Sequence, residues 1–226
     1  IRTDNNVNAS EHFFALKLNH DDVVKVLKAL SNASAVTDPQ NSQIVRNGGP
    51  ADIQALVKHL GVVSDSTHYT KDELSSGVTL ISKASRLHVP PWQMISALLG
   101  GAPLRAATWW TGPKLPTTTK QTPVECWDAS LGKPGAVEIA TSGSWAGKKV
   151  GLEGGPGLDV NHAKIGVSMS GPHHYAIVSD MNQQGSLSGN CGNNLSGRGG
   201  LAFVIDDKTL ADDVGRLIQG DTAPSE

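Results

Sequence analysis

A cysteine, a histidine and a carboxylate in that chain order are the means of nucleophilic hydrolysis, and the sequence carries them as Cys126, His174 and Asp180. In such chemistry a thiolate attacks a carbonyl carbon, an imidazole moves the proton, and a polar third group orients the ring. Asn190 is the alternative orienting group. Yet Cys126 and Cys191 are the whole thiol inventory, and an even pair in an exported chain reads first as one disulfide. The two readings exclude each other, because a bonded sulfur is no nucleophile. We expect the bridge, which closes a loop of about 65 residues and adds roughly 4 kcal/mol by the loop-entropy relation.

Three local resemblances bear on that choice. Cys126-Trp127 followed by His173-His174-Tyr175 and Asp180 resembles the order of papain-like cysteine hydrolases. That resemblance implies Cys126 as nucleophile, His174 as general base and Asp180 or Asn190 as orienting group. The sequence departs from the pattern at Gly132 and Pro134, which stop any helix begun at Cys126. Gly189-Asn190-Cys191-Gly192, with the run Gly199 to Ile205, is similar to the nucleophile turn and next strand of chymotrypsin-like viral cysteine proteases. It implies a double barrel with His68 or His88 as base, although both stand within or beside helical signals. Phe14-Ala15-Leu16-Lys17, Asp38-Pro39 and a helix ending at Gly61 resemble the βα-rich propeptides of sedolisin-type peptidases. This is a likeness of topology, and no activity is carried over.

Other chemistries find less support. Of the eight histidines, none forms a His-x-x-x-His pair on a helix, and Cys-x-x-Cys is missing. His162, His173 and His174, with Asp159 or Asp180, are the nearest approach to a metal set, and we expect no metal and no cofactor. Gly151 to Gly157 lacks the Lys-Ser/Thr of a phosphate loop and reads as a flexible loop. The dibasic pair Lys148-Lys149 stands beside it as a candidate processing site. Five tryptophans remain to be placed; Trp109, Trp110 and Trp145 are the candidate binding residues.

Composition narrows the partners. The chain of 226 residues has 19 Lys plus Arg against 21 Asp plus Glu, a net charge of −2. No basic excess exists to hold a polyphosphate backbone, so nucleic acid is not expected. No run reaches the roughly 18 apolar residues of a membrane helix, and no charged-then-apolar leader opens the chain at Ile1, so any export signal is expected to have been removed. Asn8, Asn32 and Asn194 begin Asn-x-Ser sequons, which carry glycan only on a secretory route.

The elements that must position these groups divide near residue 113. Seven of the 25 glycines precede it. The pattern predicts a mainly helical region over 1–113, opening with a βα unit: Phe13 to Leu18 as strand, Asn19 as N-cap, and a helix through Val23, Leu27 and Leu30. Pro50 and Gly61 bracket a second helix. Thr70-Lys71-Asp72-Glu73 has capping-box spacing and predicts a third through Leu74, Val78 and Ile81. Pro90 and Pro91 start a fourth, ended by Gly100 and Gly101. A Pro/Thr-rich connection follows at 114–123. The region 124–226 reads as a glycine-rich antiparallel sheet: a hairpin over Ala163 to Asp180, a strand at Gly200 to Ile205, and a covering helix capped by Asp206 or Asp207.

The sequence thus points to an α+β protein, mainly helical in its first half, with an antiparallel sheet and a covering C-terminal helix in its second. Its expected role is secreted, disulfide-stabilised and non-catalytic: binding or toxin-like, effector-like action on a protein, glycan or cell-surface target.

Overall fold

Asn19 turns an extended entry into helix α1 (His20–Asn32) by a reciprocal cap. Its side-chain oxygen accepts from the Asp22 amide at 2.8 Å, while the Asp22 carboxylate takes the Asn19 amide at 3.4 Å. Asp22 also accepts from the Ser75 amide and hydroxyl, tying α1 to a distant turn. Those bonds to Ser75 hold its carboxyl below the usual carboxylate range. The computed structural model describes residues 14–35, 49–110, 115–156, 160–183, 187, 189–192 and 198–225.

Helix α2 (Ala51–His59) begins after Pro50, and Gly61 just beyond its end takes a φ of 92°, which only glycine adopts freely. Strands β1 (Tyr69–Glu73) and β2 (Thr79–Lys83) form a hairpin, followed by helix α3 (Pro91–Leu98) and strand β3 (Leu104–Ala107). Strands β4 (Val137–Ile139), β5 (Ser142–Trp145), β6 (Lys148–Gly151), β7 (Ile165–Ser168), β8 (Tyr175–Ser179) and β9 (Gly200–Asp206) precede the last helix, α4 (Lys208–Leu217).

Seven strands form one mixed sheet in the order β1-β2-β9-β8-β7-β3-β4, and β5-β6 stands apart as a ribbon. All the sheet's pairs are antiparallel except β3 with β4. Strands from both sides of the Pro/Thr-rich connection share this sheet.

The first half is therefore not mainly helical, and the molecule as described is dominated by its sheet. Thr70 to Glu73 pairs with β2, Tyr69 opposite Lys83 and Glu73 opposite Thr79. The Thr70 hydroxyl, expected as a cap, instead meets the Ser82 hydroxyl across the hairpin at 2.8 Å. Leu104 to Ala107, unassigned from sequence, is an interior strand between β7 and β4. The expected opening strand is not formed by residues 14–18; Phe14 instead packs its ring on Phe203 of β9.

Side-chain alternation sorts the core into layers. On one face Ile81, Ala202, Val204 and Ile177 meet Trp92, Met94 and Ile95 of α3. On the other, α1 covers Leu80 and Leu201 through Ala29 and Ala33, while Val214, Leu217 and Ile218 cover Ile165 and Val167. Asp207 caps α4 by accepting the Leu210 amide at 2.8 Å.

Candidate functional site

Cys126 is buried and its sulfur is bonded to that of Cys191, with the two Cα atoms 5.3 Å apart. The Cys126 amide donates to the Leu187 carbonyl at 2.8 Å, so backbone and bridge hold the same loop. The atom a hydrolase would use as nucleophile is thus occupied. His174 and Asp180 flank the five residues of β8 at opposite ends, about 20 Å apart at the usual strand rise. They do not form an imidazole–carboxylate pair. Asp180 accepts the Leu201 amide at 2.7 Å, and burial pushes its carboxyl above the usual range. His88 lies beside the turn of Cys191: its ring atoms are 3.6 Å from where a Cβ on Gly192 would stand. The sheet is nevertheless no double barrel.

The histidine pair finds a different carboxylate. His173 Nδ1 donates to Asp206 Oδ2 at 2.6 Å, and the His174 amide donates to Asp206 Oδ1 at 2.8 Å. These bonds, the amide first, hold the Asp206 carboxyl below its ordinary value. The His173 ring stacks on Tyr175, centroids 5.2 Å apart. Sequence left Asp206 and Asp207 as equivalent caps. The structure divides them, Asp207 capping α4 and Asp206 reaching back to the hairpin turn. Two adjacent carboxylates after a strand, of which a helix needs one, were the available signal.

His173 and Tyr175 line a cavity of about 520 Å³ whose other wall is Gly100, Gly101, Pro103 and Lys120. Lys120 also lines a neighbouring cavity of about 410 Å³ with Thr122, Trp127 and Lys133. Both fall within the ~300–1,000 Å³ typical of ligand sites.

The three candidate tryptophans differ in setting. Trp110 is buried in the main core. Trp109 is half-buried against the His162 ring at 5.4 Å, and its indole nitrogen has no hydrogen-bond partner among the described residues. Trp145 is 68% exposed. It stands at the tip of the β5-β6 ribbon, where Ala146 (φ 48°) and Gly147 (φ 75°) make the turn that two left-handed residues allow. A groove of about 870 Å³ runs from Trp145 to Asp213, Arg216 and Gln219 at the end of α4.

Lys148 and Lys149 open strand β6 rather than lying in a loop, paired with Trp145 and Ser144. Lys149 also bridges to Asp221 at 2.5 Å. Asn32 Nδ2, the nitrogen a glycan would occupy, donates to Ser82 Oγ at 2.8 Å and to the His68 carbonyl at 3.2 Å. Asn8, Asn194 and Asp159 lie outside the described residues. Sequence reasoning also passed over Lys83, fully buried at the end of β2, where burial lowers the amine to about 7.

Among the described residues no group of three or more His, Cys, Asp or Glu could hold a metal ion, and no helix is long and apolar enough to cross a membrane. Compared with protein-family models and with curated proteins, the chain matches none.

Proposed function

We propose that this protein is an extracellular, disulfide-tied binding protein without catalytic chemistry, and that it recognises a glycan-bearing surface through Trp145. The observation that carries the reading is the exposure of Trp145, 68% free on a ribbon tip beside an open groove. Leaving an indole in water is costly, at about 25 cal/mol per Å² of apolar surface, and such rings concentrate where a partner covers them. Ser144, Asp213, Arg216 and Gln219 surround the ring with hydrogen-bonding groups. A flat apolar face edged by planar polar side chains suits a pyranose, which has C–H and hydroxyl surfaces. Arg216 pairs with Asp213, and Lys149 with Asp221. Those pairings leave little positive charge at the ribbon beyond Lys148, opposite Trp145, which favours a neutral saccharide over an anionic membrane. The bridge supports an oxidising compartment.

The test compares labelled wild type with Trp145→Ala on immobilised neutral oligosaccharides and on intact cells. Saturable binding by the wild type, weakened at least tenfold in the variant, is expected. Equal binding by the two proteins, or no binding by either, overturns the reading.

A further inference from the structure

Away from the Trp145 groove, we propose a second site: an elongated cleft centred on Lys120 that binds an acidic oligosaccharide bearing sulfate or carboxylate groups. Lys120 is shared by two cavities, of about 520 and 410 Å³. They also meet along the backbone, because a Cβ added to Gly101 in the wall of the first would stand 3.2 Å from the carbonyl of Lys133 in the second. Gly101 itself holds a φ of 77°, so both conformation and space require glycine there. The two cavities form one continuous surface rather than separate dimples.

Its charge is one-sided. Lys120 and Lys133 line it, no Asp or Glu does among the described residues, and the ring of His173 at its edge is already bonded to the Asp206 carboxylate. Neither Lys120 nor Lys133 makes an ion pair or hydrogen bond with a described residue, unlike Lys25, Lys71, Lys149 and Lys208; Lys28 and Lys58 share that lack but line neither cavity. Lys120 and Lys133 are both exposed. In a chain with a net charge of −2, a carboxylate-free cleft with two uncompensated cations is a local departure. It attracts anions more than the whole molecule does.

The remaining lining selects among anions. Thr119, Gln121, Thr122 and Ser170 offer hydroxyl and amide groups, and Trp127 and Tyr175 offer ring surface. Hydroxyl partners together with spaced cations match a sugar chain carrying fixed negative groups. A membrane would need a flat apolar rim. A polynucleotide would need more cations than this surface supplies. The site lies at the opposite end of α4 from Trp145 and does not depend on it.

The experiment is calorimetric titration of the oxidised protein with four probes: a sulfated oligosaccharide, the desulfated form of the same chain, inorganic sulfate, and a single-stranded oligonucleotide of equal charge. The variants are Lys120→Ala with Lys133→Ala, and a charge-matched control, Lys28→Ala with Lys58→Ala. Binding of the sulfated chain is expected, weakened at least tenfold in the Lys120/Lys133 variant, unchanged in the control and in Trp145→Ala, and lost with the desulfated chain. The proposal is overturned by no binding, by equal weakening in the control, or by equal affinity for sulfate alone or for the oligonucleotide. The expected result here, together with neutral-oligosaccharide binding that is absent or unchanged by Trp145→Ala, would sink only the first reading.

Discussion

The side-chain nitrogen of Lys83 donates to the carbonyl oxygen of Arg198 at 2.8 Å, inside a sheet where Lys83 has no exposed surface. In register, Lys83 faces Gly200 of β9, and the place a side chain would take there is filled by Met181 and Asp180. A Cβ at position 200 would meet Met181 Cγ at 2.4 Å.

Burial of that amine makes stability depend on pH. Its value falls from 10.5 to about 7 because desolvation disfavours the charged form. Between those values the unfolded chain binds the extra proton, so unfolding free energy rises with pH. Urea unfolding should show the protein more stable at pH 9 than at pH 7 by about 2 kcal/mol. Lys83→Met should abolish most of that difference. An equal pH dependence in the variant would show that another group is responsible.

The Cys126–Cys191 bridge closes 65 residues of chain, a span that includes β4 to β8. Replacing both cysteines by serine should lower stability by about 4 kcal/mol, the loop-entropy value for this length. Thiol titration of the denatured, unreduced protein should find no free thiol. Two free thiols, or unchanged stability in the double variant, would contradict a structural bridge.

Local signals survived into the structure where packing agreed with them. Asn19 and Asp22 cap α1, and Pro91 and Gly100 bracket α3, because those helices lay apolar faces on the sheet. Thr70 and Glu73 have the same cap-to-N3 spacing, but Ser75 to Gly77 form a turn, with Gly77 at φ 78°. Leu80 and Ile81, adjacent and both buried, point to opposite faces of the sheet, where separate layers cover them. The seven-stranded order was not legible, since β2 pairs with β9 across more than half the chain. The bridge was legible from parity alone, whereas the His173–Asp206 pair and the Lys120 cleft depend on distant segments meeting.

Gly166 shows how tightly those meetings are packed. A Cβ there would lie 2.7 Å from Trp92 Cζ3 and 3.1 Å from the Arg105 carbonyl. Trp92 is fully buried in the core under α3, so its ring has nowhere to move. Gly166→Ala should therefore destabilise by about 1–3 kcal/mol, the usual cost of overpacking. Chemical denaturation measures it, and a neutral effect would mean that the Trp92 ring is less confined than described.

Arg105 fastens the end of the chain. Its guanidinium donates to the carbonyls of Ile218 (2.9 Å), Gly220 (2.9 Å) and Asp221 (3.1 Å), to the Thr222 hydroxyl, and to Glu138 at 2.8 Å. A planar fork with five N–H groups can serve these acceptors together, whereas a lysine keeps the charge but presents a single nitrogen. Arg105→Lys should cost about 1–3 kcal/mol and loosen the segment that follows α4. Hydrogen exchange locates the effect: the amides of Asp221, bonded to Ser142 Oγ, and Ala223, bonded to the Ile139 carbonyl, should exchange faster. The amides of β2 and β9, on the far side of the sheet, should not change beyond the global loss of stability. Unchanged exchange at Asp221 and Ala223 would mean that the isolated bridges Ala140 to Thr222 and Thr117 to Ser225 suffice to hold this segment.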